Sequence, residues 1–206
     1  MKIIVISDTH GQEQRLKDLK GDILIHCGDM EINSIIGLNE MNEWFGSLDF
    51  EHKICIAGNH DFFCEGYKEE CKKLFTNAIY LENEGCEING LKFWGSPYTP
   101  KFNNWAFMYE RCSVEAKKNW SQIPEGLDFL ITHCPPYTVL DECKDGHQGC
   151  EVLQRAVFDK KPKYHCFGHL HLQGGECINQ HGINFYNVSV LDEKYKLINK
   201  PTVLEI

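Results

Sequence analysis

The sequence has no long hydrophobic run, and this absence argues against a location in a membrane. Hydrophobic residues make up 42% of its 206 residues. They are spread over short runs, however, and none approaches the length of about 20 residues that a membrane-spanning helix needs. The first run, residues 3–6, is also too short for the apolar core of a signal peptide. We therefore expect a soluble, cytoplasmic protein that does not bind membranes.

The sequence also has few basic residues for its acidic content. With 21 Lys and Arg against 30 Asp and Glu, the formal net charge is −9. A protein that binds long nucleic acids needs basic surface to displace counterions from the phosphates. The longest basic run, residues 160–163, is interrupted by Pro162 and indicates a solvated turn. We expect a small substrate and no stable nucleic-acid binding.

Repeated cysteine pairs are absent as well, although the chain contains 11 cysteines. The number is odd, and no spacing repeats as C-x-x-C, which argues against a disulfide framework or a zinc ribbon. Cys27, Cys55 and Cys166 lie within apolar runs, where cysteine behaves as a small hydrophobic residue. The pattern indicates reduced, mostly buried thiols. Internal repeats, low-complexity tracts and linkers are also missing, so we expect residues 1–206 to form a single domain.

What the sequence does contain is an alternation of short apolar runs and amphipathic segments, which predicts an α/β fold. The apolar runs, of strand length and without polar alternation, are residues 3–6, 23–27, 54–57, 129–132 and 164–167. The predicted helices are residues 12–19, 35–45, 114–120 and 149–158. Asn89-Gly90 predicts a β-hairpin, residues 180–182 predict a second one, and residues 201–206 predict a closing edge strand.

Polar residues of the kinds that bind metals follow each apolar run. They are Asp8 and His10 after the first, Asp29 after the second, Asn59, His60 and Asp61 after the third, His133 after the fourth, and His169 and His171 after the fifth. Loops at the carboxyl ends of parallel strands form the ligand crevice of an open α/β sheet, so we expect these residues at one edge of the sheet. Carboxylate and amide oxygens with imidazole nitrogens suit divalent metals. Seven of these nine residues, all except His60 and Asp61, are our candidate ligands, which are too many for one tetrahedral ion and suit two ions that share a carboxylate.

These motifs resemble, in order, the five motifs of the calcineurin-like metallophosphoesterases. They are Asp8-Thr9-His10, Gly28-Asp29, Gly58-Asn59-His60-Asp61, Thr132-His133 and Gly168-His169-Leu170-His171. The resemblance extends over almost the whole chain and is closest to the small metallophosphoesterase-domain-containing proteins related to class III cyclic-nucleotide phosphodiesterases. It implies a four-layer α-β-β-α sandwich with two metal ions, Mn, Fe, Zn or Ni, of which we favour Mn.

The resemblance also implies a role for each residue. One ion would be held by Asp8, His10 and His171, the other by Asn59, His133 and His169, with Asp29 bridging them. His60 would act as the catalytic acid beside the phosphate, with Asp61 orienting its ring. The implied reaction is hydrolysis of a small phosphodiester, such as a cyclic nucleotide, by a hydroxide that the two metals activate. Phosphomonoesterase or nuclease activity on the same centre, and a non-catalytic scaffold, remain as alternatives.

Substrate contacts are less well marked in the sequence. Tyr98 and Trp105, with Phe102 and Phe107 nearby, could form a wall on which a nucleobase stacks. His147 lies on a predicted loop that leads into a helix and could reach the substrate. Tyr98, Trp105 and His147 are therefore the substrate residues that the sequence suggests.

Overall fold

The computed structural model describes residues 1–17 and 19–206. Its strands are β1 (Lys2–Ile6), β2 (Ile23–His26), β3 (His52–Cys55), β4 (Ile79–Tyr80), β5 (Glu84–Ile88), β6 (Leu91–Ser96), β7 (Thr99–Pro100), β8 (Met108–Tyr109), β9 (Phe129–Thr132), β10 (Glu142–Cys143), β11 (Gly146–His147), β12 (Tyr164–Phe167), β13 (Cys177–Gln180), β14 (Ile183–Asn187) and β15 (Thr202–Glu205). Its α-helices are α1 (Ile35–Ser47), α2 (Phe62–Gly66), α3 (Lys68–Leu74), α4 (Val114–Trp120) and α5 (Glu151–Lys160).

Most strands belong to two sheets whose central pairs are parallel. The first sheet has the order β15-β1-β2-β3-β4, with β15 antiparallel to β1 at its edge. The second has the order β13-β14-β12-β9-β6-β5, with antiparallel hairpin strands at both edges. A parallel bridge between Ser7 and Ser189 joins the ends of the two sheets. The five predicted apolar strands are therefore divided between two sheets, whereas the sequence suggested a single sheet edge.

Alternating side chains of these strands build three apolar layers. In β1, Ile3 and Val5 pack between the sheets with residues such as Phe129 and Ile131 of β9. Because successive side chains point to opposite faces, Ile4 of β1 packs outward instead. There it joins a cluster with residues of α1 and α3. A third cluster packs α4 and α5 on the outer face of the second sheet. The result is the expected four-layer α-β-β-α sandwich.

The hairpin and edge-strand predictions are confirmed. Asn89 and Gly90 both have positive φ, 52° and 80°, and connect β5 to β6. These angles suit the type I′ turn that matches the twist of paired strands. His181 and Gly182 turn between β13 and β14 with φ of 54° and 80°. β15 follows Pro201 and closes the first sheet.

The helix predictions are confirmed except for the first. Helices α1 and α4 begin at serine caps, where the Ser34 hydroxyl accepts from the Gly37 N–H and the Ser113 hydroxyl accepts from the Ala116 N–H. The segment 12–19 forms only a short 3₁₀ turn, Glu13–Arg15, and its residue 18 lies outside the described residues. Leu16 takes an extended conformation with ψ of 122°, which ends the turn.

Two further properties bear on the sequence predictions. Most of the 11 cysteines are buried, and all are free thiols. Among the described residues, no helix combines the length and the apolar character that crossing a bilayer requires.

Candidate metal centre

The predicted ligands meet where strands of both sheets end. Asp8 follows β1, Asp29 follows β2, His133 follows β9 and His169 follows β12. All of these residues except His169 are buried. The loops that carry them are tightly turned, because Asp8, His10, Asp29 and His169 all have positive φ, between 43° and 68°. Non-glycine residues rarely adopt this region, and such strain concentrates at functional sites.

The predicted ligand atoms form two groups, and a further cluster of His10, Glu31 and His60 shares His10 with the first. Asp8, His10 and His171 place one ligand atom each within 4.8 Å of one another, and so do Asp29, His133 and His169. Asn59 belongs with the second group, because its Oδ1 lies 3.0 Å from His133 Nε2. Asp29 apart, each group therefore has three nitrogen or oxygen ligands suited to a divalent ion.

Asp29 lies between the two groups and faces both. Its Oδ2 is 3.6 Å from His10 Nε2 in the first group. Its Oδ1 is 3.2 Å from His133 Nε2 in the second. A carboxylate in this position can contribute one oxygen to each side. This is the arrangement expected of a bridging ligand.

Hydrogen bonds at Nδ1 orient the histidine rings. His133 Nδ1 lies 2.9 Å from the Cys27 carbonyl oxygen, and His171 Nδ1 lies 3.0 Å from the Asp192 carbonyl oxygen. His10 Nδ1 lies 3.2 Å from Glu31 Oε2. Partners at Nδ1 leave Nε2 free to bind a metal ion. His10 Nε2 is buried with no hydrogen-bond partner among the described residues. A bound cation would satisfy the lone pair of this nitrogen.

Two glycines allow the loops to approach the carboxylates. A Cβ atom at position 58 would lie 2.3 Å from Asp29 Oδ1, and one at position 168 would lie 2.1 Å from Asp8 Oδ2. Both distances are far shorter than any non-bonded contact. Gly58 and Gly168 are therefore required by the close packing of backbone around the two acids.

The buried acids and histidines of the centre shift one another's pKa values. Burial alone would raise the pKa of Asp8 and of Asp29, but the hydrogen bonds and charges of nearby histidines lower both. In turn, burial would lower the pKa of His133 and of His171, but Asp29 and Asp8 respectively raise them, each to about 9. The ionised carboxylates and the protonated rings therefore favour one another. Divalent ions would supply the same positive charge and displace those protons.

His60 lies at the edge of the centre, and its ring contacts a carboxylate that was not predicted. Its Nδ1 is 3.4 Å from Glu31 Oε2, the oxygen that also contacts His10. Its ring is 4.6 Å from that of His10 and stacks on Trp105 at 4.2 Å. Burial lowers the pKa of His60, but Glu31 and Asp29 outweigh it, so the net shift is upward.

The expected role of Asp61 differs from what the structure shows. Asp61 is fully buried and accepts from three backbone N–H groups, those of Met30, Ile32 and Gly58, at 2.7–3.2 Å. It therefore joins the Asn59 loop to the Asp29 loop rather than orienting the His60 ring. Glu31 occupies the position beside His60 that was expected of Asp61. In the sequence, its place two residues after Asp29 could have indicated this role.

A cleft of about 490 Å³ opens over the ligands. Besides ligand residues, its lining includes Phe102, Trp105, Arg111, Asp145, Gln148 and Tyr195. Of the three predicted substrate residues, only Trp105 lines it. Tyr98 packs on Phe107 at 5.5 Å, and His147 is paired with Asp141 through an Nδ1–Oδ1 contact of 2.6 Å. Nothing in the sequence pattern pointed to Tyr195.

The sandwich of two sheets and the carboxylate and imidazole ligands at its strand ends define a class, the metal-dependent hydrolases. The family model for calcineurin-like phosphoesterases matches residues 1–173. Metallophosphoesterase domain-containing protein 1 of Homo sapiens is 34% identical over 233 aligned residues, which cover 100% of this chain and 71% of that protein. The chain belongs to the calcineurin-like phosphoesterase family and is a metal-dependent phosphoester hydrolase.

Solved structures share the fold at low sequence identity. A phosphopantetheinyl hydrolase from Mycobacterium tuberculosis superposes with a TM-score of 0.64 at 14% identity, covering 94% of this chain and 90% of that one. An archaeal phosphodiesterase superposes with a TM-score of 0.50 at 19% identity, covering 99% and 100% of the two chains. These two similarities show that the fold is shared.

Proposed function

We propose that this chain hydrolyses small phosphodiesters, cyclic nucleotides among them, at a centre of two divalent ions, with Mn favoured. One ion would be held by Asp8, His10 and His171, the other by Asn59, His133 and His169, with Asp29 shared. The observation that carries the proposal is the position of Asp29, whose two oxygens lie 3.6 and 3.2 Å from imidazole nitrogens of the two groups. Residues 1–206 would act as one domain in the cytoplasm.

The residues around the centre divide the chemistry between them. Two divalent ions would supply positive charge to the phosphoryl oxygens and lower the pKa of a water molecule. His60 holds a proton at the rim of the cleft and donates it to the leaving oxygen. Glu31, on Nδ1 of the His60 ring, favours the protonated form and leaves Nε2–H free to donate. Asp61 keeps the two loops that carry these residues in register.

Two features of the cleft and the net charge of the chain support a small diester as the substrate. Its volume of about 490 Å³ suits a molecule of nucleotide size. Phe102 and Trp105 offer apolar rings against which an organic ester group can pack. The net charge of −9 opposes binding of a long polyanion such as DNA or RNA.

A hydrolysis screen with purified protein tests the proposal. The protein is stripped of metal, reloaded separately with Mn²⁺, Fe²⁺, Zn²⁺ or Ni²⁺, and assayed on cyclic nucleotides, bis(4-nitrophenyl) phosphate, 4-nitrophenyl phosphate and long DNA and RNA. The Asp29→Ala protein, purified in parallel, controls for contaminating phosphatases. We expect the highest kcat/KM for a small diester. A higher kcat/KM for monoesters or polymers would overturn the substrate assignment, and no hydrolysis by metal-loaded protein would favour a scaffold.

A further inference from the structure

A short loop, residues 192–196, is built around Asp192 and presents Tyr195 to the cleft. Asp192 Oδ1 accepts from the backbone N–H groups of Lys194 and Lys196 at 2.9 and 2.8 Å. The Tyr195 N–H donates to the Asp192 carbonyl oxygen at 2.8 Å. Tyr195 itself has φ of 56°. Because these bonds close the loop on itself, the backbone conformation of Tyr195 is specified rather than loose.

The same loop is fixed to the metal centre. The Asp192 carbonyl oxygen lies 3.0 Å from Nδ1 of the predicted ligand His171. From the other side, Gln12 Nε2 donates to the Tyr195 carbonyl oxygen at 3.0 Å. The position of Tyr195 is therefore coupled to that of the ligands.

The ring of Tyr195 lies against two ligand histidines and remains open to solvent. Its centroid is 4.8 Å from that of His10 and 5.5 Å from that of His171, both edge to face. Nevertheless, 49% of the residue is exposed, and it lines the cleft. An aromatic ring held at a polar centre with half its surface free does not serve the hydrophobic core. It offers a contact surface to a bound molecule.

Tyr195 and Trp105 stand at opposite ends of a row of rings. Trp105 stacks on His60, His60 contacts His10, and His10 contacts Tyr195. His60 faces the leaving oxygen in the proposed reaction, so the leaving group belongs at the Trp105 end. The other substituent of a diester, which stays on phosphorus, is then directed away from His60. Tyr195 is the last ring in this series of contacts, two contacts beyond His60.

We propose that Tyr195 contacts the ester substituent that stays on phosphorus, and so favours diesters bearing a nucleoside or aryl group there over monoesters. This inference rests on the proposed function and names the side chain that would set its diester preference. A monoester has no retained substituent and gains nothing from the contact. The ring, rather than the hydroxyl group, makes the contact.

Two substrates with the same leaving group test the inference. 4-Nitrophenyl phosphate has no retained substituent, whereas thymidine 5′-(4-nitrophenyl) phosphate retains a nucleoside. Removing a stacking ring costs about tenfold or more in binding. We therefore expect Tyr195→Ala to lower kcat/KM for the thymidine diester about tenfold, mainly through KM, and to leave the monoester unchanged. Tyr195→Phe should behave as the wild type. Tyr67, 51% exposed and stacked on Phe63 away from the cleft, provides the matched control Tyr67→Ala.

A binding measurement makes the test independent of turnover. Isothermal titration of the manganese-loaded proteins compares thymidine 5′-monophosphate with inorganic phosphate, while elemental analysis records metal content. We expect Tyr195→Ala to weaken binding of the nucleotide about tenfold and to leave phosphate binding and metal content unchanged. Equal losses for both ligands or both substrates, or a Tyr195→Phe variant as weak as Tyr195→Ala, would overturn the inference. If the wild type hydrolyses no diester, the proposed function fails, and the titration still decides whether Tyr195 binds the nucleoside.

Discussion

One histidine in each of the two ligand groups is held in place by a different part of the molecule. His133, in the second group, is fully buried, and its Nδ1 contacts the carbonyl oxygen of Cys27, the residue that follows β2. His171, in the first group, is partly exposed, and its Nδ1 contacts the carbonyl oxygen of Asp192 in the surface loop that carries Tyr195. The ring of His133 is anchored to the end of a central strand, and the ring of His171 to a loop.

The difference bears on how the two ions are held. Ligands fixed by a central strand lose little freedom on binding, whereas a loop that opens can release its ion. We therefore expect the site at Asn59, His133 and His169 to bind its metal more tightly than the site at Asp8, His10 and His171. Asp29 is the exception to this division because it serves both groups.

Asp29→Ala should have the largest effect, because it removes the one side chain common to the two groups. We expect metal content to fall at both sites and activity to fall by about 10³-fold or more, since the charge stabilisation that metals supply is worth several kcal/mol. Elemental analysis and steady-state kinetics on the same preparation measure both. Asp159→Asn, on the exposed surface of α5, is the control. Loss of only one ion from Asp29→Ala would contradict the shared role.

His60→Ala separates catalysis from metal binding. Loss of a positioned acid costs about 10²–10⁴-fold in rate, so we expect turnover to fall by that factor. Metal content should remain at the wild-type level, because His60 belongs to neither ligand group. His181→Ala, at the hairpin turn between β13 and β14, controls for the loss of an imidazole. If His60→Ala removes metal, His60 is a ligand and its role as the acid is wrong.

Glu31→Gln should have a smaller effect on activity, and it should also change how activity depends on pH. Residues that orient a ligand or a catalytic ring typically contribute about 10–100-fold. The Glu31 carboxylate raises the pKa of His60, which is needed protonated. Without that charge the pKa of His60 falls. As the pH is raised, the variant should therefore lose activity at a lower pH than the wild type does. A pH–rate profile that keeps its alkaline limb in place would show that Glu31 does not act on His60. Glu69→Gln, on α3, is the control.

The parts of the fold that the sequence predicted are those governed by local patterns. β9 and β12 coincide with the apolar runs 129–132 and 164–167, and α4 coincides with residues 114–120. In these segments the hydrophobic pattern, the cap and the turn residues favour the same structure. Residues 12–19 have a helical pattern too, but Leu16 is extended there. Tertiary contacts override a weak local preference in so short a segment.

In the candidate site, too, some features follow from local sequence patterns and others depend on tertiary contacts. Its proposed ligands follow strand ends, so their convergence was expected, although the five strands belong to two sheets rather than one. The contacts of Asp61 with the Met30 and Ile32 N–H groups depend on how two loops meet in space. Likewise, Tyr195 reaches His10 only because Gln12 and Asp192 fix a loop far along the chain. Such contacts between loops leave no periodic signal in the sequence.

The number of metal ions per chain tests the central claim most directly. Metal-free protein is titrated with Mn²⁺ by calorimetry, and the product is freed of excess metal and examined by elemental analysis. The ligand geometry predicts two ions per chain, bound in two steps of unequal affinity, with His171→Ala losing the weaker step and keeping the tighter one. Saturation at one ion, or no ion bound at all, would contradict a centre in which Asp29 joins two metals.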